Sequence, residues 1–297
     1  MEHITHCPIC GSGQIQKAFR VKDHSVSKEE FDLSDCKDCG FRFTSERPPL
    51  DRLGSYYISD DYISHSNRKA SLQDNLYQLA RRWSLRSKTE IIRGYQPHGR
   101  VLDIGCGTGE FLSHLRARGF LVQGVEPSAI ARGQAISNHG LNVVPGLDQV
   151  ASQENFSVVS MWHVLEHVPD IRQTFKKVFA LLAEGGLLVI AVPDRESWDA
   201  QHYGSDWAAW DVPRHLSHFR RQDIETLLRE HGFELLKIKR MPLDALYISM
   251  LSERYSGLSG SIALIKGTLF GLWSNVVSLF NQRPTSSSLY LARKAEL

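Results

Sequence analysis

The 297-residue chain has few cysteines and methionines, five and four, and almost no net charge: 35 basic residues face 33 acidic ones, for a formal charge of +2. Each scarcity excludes something. A near-neutral balance leaves no global basic footprint for nucleic acid. No stretch pairs an Arg/Lys cluster with stacking aromatics as a strand-tracking groove requires, so nucleic acid is not an expected partner. No apolar segment follows Met1, where His3, Cys7 and Cys10 arrive at once. A secretory signal is therefore not expected, and cytoplasmic residence is. Four of the five cysteines fall in two CxxC pairs, a pattern of metal binding in a reducing compartment more than of disulfides. Apolar residues are not scarce: 42% hydrophobic content supports one large core with a small module beside it.

The cysteines define that module, residues 1–45. Cys7-Pro8-Ile9-Cys10-Gly11 and Cys36-Lys37-Asp38-Cys39-Gly40 each bring two sulfurs onto one tight turn. Two such turns close a tetrahedral zinc site, with Cys7, Cys10, Cys36 and Cys39 as ligands in a zinc-ribbon-like module. The zinc is expected to be structural, stapling a unit too small to bury a core of its own. A hairpin around Phe19–Val21 and Phe31–Leu33 fits between the pairs. Residues 46–99 form a connector. Arg47-Pro48-Pro49 breaks regular structure, and Tyr56, Tyr57, Tyr62 and His65 follow in an aromatic stretch. For Tyr56 and Tyr57 packing is expected ahead of a lid role; Tyr62 and His65 are left open between the two. Leu72, Leu76, Leu79, Trp83 and Ile91 then recur at helical spacing.

Residues 100–297 alternate strands and helices, the signature of an α/β doubly wound sheet. Expected strands are Val101–Ile104, Leu121–Val125, Asn142–Val144, Ser157–Trp162, Leu187–Val192 and Glu234–Lys239. After the first comes Asp103-Ile104-Gly105-Cys106-Gly107-Thr108-Gly109, a glycine turn that lets backbone approach a ligand closely. Asp103 would repel a pyrophosphate but suits a cationic cofactor. Glu126, 23 positions on, ends the second strand where a carboxylate can hold ribose hydroxyls.

These residues resemble the class I S-adenosylmethionine-dependent methyltransferases. The resemblance implies a seven-stranded Rossmann-like sheet whose last strand, Ser287–Ala292, is antiparallel. It implies S-adenosylmethionine held by Asp103, Gly105, Gly107, Gly109 and Glu126, with Gly146 and Leu147 near the adenine. Trp162 and His163 would lie toward the methyl group. His163-Val164-Leu165-Glu166-His167-Val168 resembles a segment of ubiquinone O-methyltransferases, where the corresponding acids and histidine accompany a divalent metal. In this chain Glu166 and His167 are expected to cap and orient a helix instead. Trp207–Phe219 resembles the WxxWDxPRHLxHF segment of bacterial methyltransferases with N-terminal zinc modules and is expected to wall the acceptor pocket. His163 and His215 are the candidate bases.

The expected activity is methyl transfer to a small-molecule acceptor, O-methylation favoured, of the secondary-metabolite, sugar or lipid/quinone-like class. An RNA methyltransferase, or a nonenzymatic zinc module with a cofactor-binding body, is the alternative. An apolar insertion, 242–284, carries a helical stripe through Leu258–Phe280. Its expected roles are a core or dimer helix or a substrate lid, ahead of peripheral membrane contact.

Overall fold

The computed structural model describes residues 1–57, 72–151, 155–280 and 283–295, with residues 72–81 as backbone alone. Tyr62 and His65 lie outside the described residues. The large sheet has seven strands: β1 (Arg100–Ile104), β2 (Leu121–Val125), β3 (Val143–Val144), β4 (Phe156–Trp162), β5 (Leu182–Pro193), β6 (Phe233–Arg240) and β7 (Ser287–Lys294). Their order across the sheet is β3-β2-β1-β4-β5-β7-β6, and β7 alone runs antiparallel, to both neighbours. The doubly wound architecture with an antiparallel last strand is the one expected.

Local sequence explains these elements. From Leu187 to Pro193 every β5 residue is buried, so the strand reads as a continuous apolar run. Alternate residues feed opposite faces: Leu188, Ile190 and Val192 join one core, Leu187, Val189 and Ala191 the other. The helix after β4, Ile171–Leu181, starts where the Asp170 carboxylate accepts the Gln173 N–H. Its Ile171, Phe175 and Val178 bury one face at helical spacing.

Helices α1 (Leu72–Tyr95) and α2 (Glu110–Arg116) flank the first strand in sequence. Chain order reverses between β1 and β4, the switch point outside whose carboxyl ends ligands bind in such sheets. The glycine turn sits there.

Near the N-terminus, Ile15–Lys22 pairs with Glu30–Cys36, which pairs with Arg42–Thr44. The expected hairpin is present, within a larger sheet. Its fourth strand is Ser217–His218, from far along the chain. The small sheet is thus completed by the large domain.

Between β6 and β7 stand two long helices, Pro242–Tyr255 and Gly260–Phe280. The second lies against the first through small residues: a Cβ on Gly267 would come 2.4 Å from Met250 Cα, and one on Gly271 2.7 Å from the Ala245 carbonyl. Its bulky side chains point the other way, with Leu269 60% and Phe280 81% exposed. This corrects the core-helix reading, because close backbone approach consumed the small residues and left the large ones outside. By length and composition the helix could cross a membrane.

Candidate functional site

The turn after β1 is built for close approach. Gly105, at φ +71, carries no Cβ because one would lie 2.4 Å from Val164 Cγ2. Gly107, at φ +55, faces open space instead, so backbone is presented to a ligand. The Gly107 N–H donates to Glu126 Oε2 at 2.9 Å, and Ser128 N–H to Oε1 at 2.8 Å. Those bonds fix the Glu126 carboxylate beside the turn. Asp103 is buried one strand over, accepting from Ser160 Oγ at 2.6 Å. Burial pushes its carboxyl up to about 7, against the opposing pull of Ser160 and the Lys88 ammonium. Gly109 takes φ +82 at the start of α2. Gly146 is extended, and Leu147 opens a short turn packed on the core after β3.

Trp162 ends β4 with its ring edge-on to Phe111 of α2. The Lys88 Nζ lies 4.4 Å from its centroid. Trp162 lines a cavity of about 620 Å³ between α1 and the ends of β6 and β7.

His163 follows at φ +57, in the left-handed region, which aims its ring between two carboxylates. Nε2 is 3.0 Å from Asp244 Oδ2, and Nδ1 is 3.5 Å from Glu166 Oε1. Burial alone would lower its pKa, but the two carboxylates outweigh it and raise the imidazole to about 10. His163 thus stands between two anions, an arrangement that a sequence cannot show because Asp244 comes from the insertion.

Leu165–His167 is a single 3-10 turn, not the start of a long helix. His167 Nδ1 lies 3.0 Å from the Arg214 carbonyl and 3.0 Å from the Tyr57 hydroxyl. His215 Nδ1 lies 2.9 Å from the Ala209 carbonyl. A carbonyl only accepts, so both rings carry a proton on Nδ1. Burial and His215 pull His167 down to about 4, so it is neutral. Both Glu166 carboxylate oxygens are buried without a hydrogen bond. Donor atoms of Glu166, His167 and His215 all lie within 4.8 Å of one another, a set that suits a divalent cation.

Over residues 65–238, more than half of the chain, the sequence matches a family described as a methyltransferase domain. The chain belongs to the class I S-adenosylmethionine-dependent methyltransferases. The ubiquinone biosynthesis O-methyltransferase of Glaesserella parasuis is 34% identical over 108 residues, 32% of this chain and 46% of that protein. That of Bradyrhizobium diazoefficiens is 32% identical over 124 residues, 39% of this chain and 49% of that protein. The match thus spans about half the length of these relatives. Among solved structures, Haemonchus contortus phosphoethanolamine N-methyltransferase 2, bound to phosphomonomethylethanolamine and S-adenosylhomocysteine, is alike with a TM-score of 0.50 and 16% identity. The likeness covers 71% of this chain and 53% of that one, and is of fold alone.

In this methyltransferase the Trp207–Phe219 stretch does not wall the cavity; none of its residues is in the lining. It joins the two units. Trp210 packs edge-on against Phe19, and Phe219 against Phe41. The Thr44 hydroxyl donates to the His215 carbonyl at 2.7 Å and lies 3.1 Å from His218 Nε2. Arg214 forks onto Asp211, at 3.0 and 2.7 Å, and reaches Asp23 at 3.0 Å and the Tyr56 carbonyl at 2.9 Å. The density of aromatics and charges reflects an interface that must be both apolar and specific. Tyr56 also packs on Phe31, in keeping with its structural reading.

The cysteine turns mirror each other. Gly11 N–H donates to the Cys7 carbonyl at 2.9 Å, and Gly40 N–H to that of Cys36 at 2.8 Å. Sγ atoms of Cys7 and Cys39 are 3.6 Å apart, and those of Cys10 and Cys36 3.5 Å. Tetrahedral zinc with Zn–S bonds of about 2.3 Å places sulfurs about 3.8 Å apart, so the four fit it. Three arginines of the methyltransferase domain cap the turns: Arg172 donates to the Ile9 carbonyl, Arg220 to that of Cys39 and Arg195 to that of Gly40. Sequence reasoning missed these arginines, together with Lys88, Asp244 and Ser160. None stands in a motif, so no local signal marks them.

Proposed function

We propose that the protein transfers a methyl group from S-adenosylmethionine to a small-molecule acceptor, with an acceptor oxygen favoured. The observation that carries this reading is the open face of Gly107 flanked by two carboxylates, Asp103 and Glu126, at neighbouring strand ends. Backbone can approach there, and negative charge suits a cofactor with ammonium and sulfonium groups. When bound, that cofactor supplies an activated methyl. Asp103, Gly105, Gly107, Gly109 and Glu126 would hold it, with Gly146 and Leu147 beside the adenine.

The chain's own residues then orient the acceptor and exclude water. Asp244, in the cavity wall, accepts a hydrogen bond from an acceptor hydroxyl, and His163 holds Asp244 in place and ionised. Glu166, His167 and His215 would hold a divalent cation, which would supply a Lewis acid at the same end of β4. Cys7, Cys10, Cys36 and Cys39 would hold structural zinc, and CxxC pairs of that kind suit a reducing, cytoplasmic compartment.

Calorimetry with S-adenosylmethionine tests the core of the proposal. Glu126→Ala removes an acceptor of two backbone donors and a ribose ligand, so affinity should drop by about tenfold to a hundredfold, while the circular dichroism spectrum is retained. Unchanged affinity sinks the cofactor assignment. Labelled cofactor incubated with a fractionated metabolite extract and with RNA separates the substrate classes, and label appearing only in RNA overturns the small-molecule reading.

A further inference from the structure

The cavity beside Trp162 has an unusual charge balance. Five cationic side chains, Lys88, Arg221, Lys239, Arg240 and Arg283, line it against a single carboxylate, Asp244. Asp244 cannot balance them, because it is engaged 3.0 Å from His163. The three arginines are tethered at the rim: Arg221 to Glu225 at 2.7 Å, Arg240 to the Ser278 carbonyl at 2.6 Å and Arg283 to Gln201 at 2.9 Å. Lys88 and Lys239 form no ion pair with a carboxylate among the described residues. The Trp162 indole N–H, in the same wall, is buried without an acceptor.

A lining of donors and surplus positive charge suits neither the sulfonium cofactor nor a cationic acceptor. It suits a ligand rich in acceptor oxygens. Burial lowers the Lys88 ammonium pKa, offset in part by Asp103 and Asp244, so an anion beside it would recover the lost solvation. The position is apt for transfer, since Lys88 lies over the ring that ends β4, next to His163.

We propose that this cavity receives the methyl acceptor and that the acceptor is an anionic small molecule, whose carboxylate or phosphate group is held by Lys88 and Lys239 and by the Trp162 N–H. The proposal rests on the methyl-transfer reading above. It also assigns specificity: the charge is read on the α1 and β6 side, while Asp244 meets the reacting hydroxyl.

The test uses three aromatic probes of similar size, phenyl phosphate, benzoate and benzyl alcohol, titrated calorimetrically into the full chain with and without S-adenosylhomocysteine. At least one anion should bind ten times or more tighter than benzyl alcohol. Lys88→Met and Lys239→Met should each weaken that anion about tenfold, Lys88→Arg should recover most of the loss, and affinity of Lys239→Met and Lys88→Arg for S-adenosylhomocysteine should stay within twofold. Whether phenyl phosphate or benzoate binds tighter identifies the group. Equal binding of benzyl alcohol, no binding of either anion, or anion affinity untouched in both methionine variants overturns the proposal. A wild type that fails to bind S-adenosylhomocysteine sinks the methyl-transfer reading instead, and the anion titrations are still read on their own.

Discussion

Two histidine-bearing stretches, His163–Val168 and Trp207–Phe219, look equally catalytic as strings of residues, and the fold uses them differently. The first turns sharply at the end of β4, where His163 meets Glu166 and Asp244 beside the cavity. The second lends a strand to the small N-terminal sheet and locks it through Arg214, Thr44 and two aromatic contacts. His215 belongs to both settings, its backbone in the seam and its ring against His167. Polar and aromatic density thus marks any surface that must be specific, whether it recognises a substrate or a neighbouring domain.

The largest expected effect breaks the seam. Arg214→Ala leaves the buried Asp23 and the half-buried Asp211 without their cation, and should cost about 3–5 kcal/mol in denaturant unfolding. Loss of turnover at unchanged stability would return this stretch to the active site. Next in size, His163→Ala frees Asp244 from its partner and should lower kcat about a hundredfold at saturating cofactor. His218→Ala, in the seam, should shift the thermal midpoint and leave kcat of the folded fraction within a few fold. A reversed order of the two kcat values defeats the contrast between the stretches.

A smaller effect concerns Asp103. Its pKa is raised by burial from the usual 3.8 to about 7, so the folded apo protein binds more protons than the unfolded chain between those values. Apo stability from this group is therefore greatest at low pH and falls as pH rises toward 7. In its proposed cofactor role Asp103 acts ionised, so affinity for S-adenosylmethionine should rise between pH 6 and 8, and Asp103→Asn should flatten that rise in calorimetric titrations. The smallest effect is expected outside both regions. Leu269→Glu with Leu272→Glu changes exposed positions only, and should move the unfolding free energy by less than about 1 kcal/mol. A larger loss would place that face in a folded interface.

Much of this was legible in the chain because the signals are local. The strand at Leu121–Val125 was bounded to the residue, and the glycine turn, Glu126 and the cysteine pairs each follow from short-range chemistry. Asp103 and Glu126 come together because consecutive parallel strands place their carboxyl ends side by side. Lys88 was invisible for the opposite reason: in a helix of mixed polarity a lysine reads as solvated surface, and only β4 packing against α1 puts it over Trp162.

By itself the sequence determined the doubly wound sheet, the glycine turn and the four-cysteine cluster, since periodicity, glycine conformation and ligand spacing act over a few residues. The tertiary structure decided what those parts face. It charged His163 by placing Asp244 across from it, made Trp207–Phe219 a seam, and gathered five cations around one cavity. Electrostatic character depends on distance in space and on exclusion of water, and neither is set by distance along the chain.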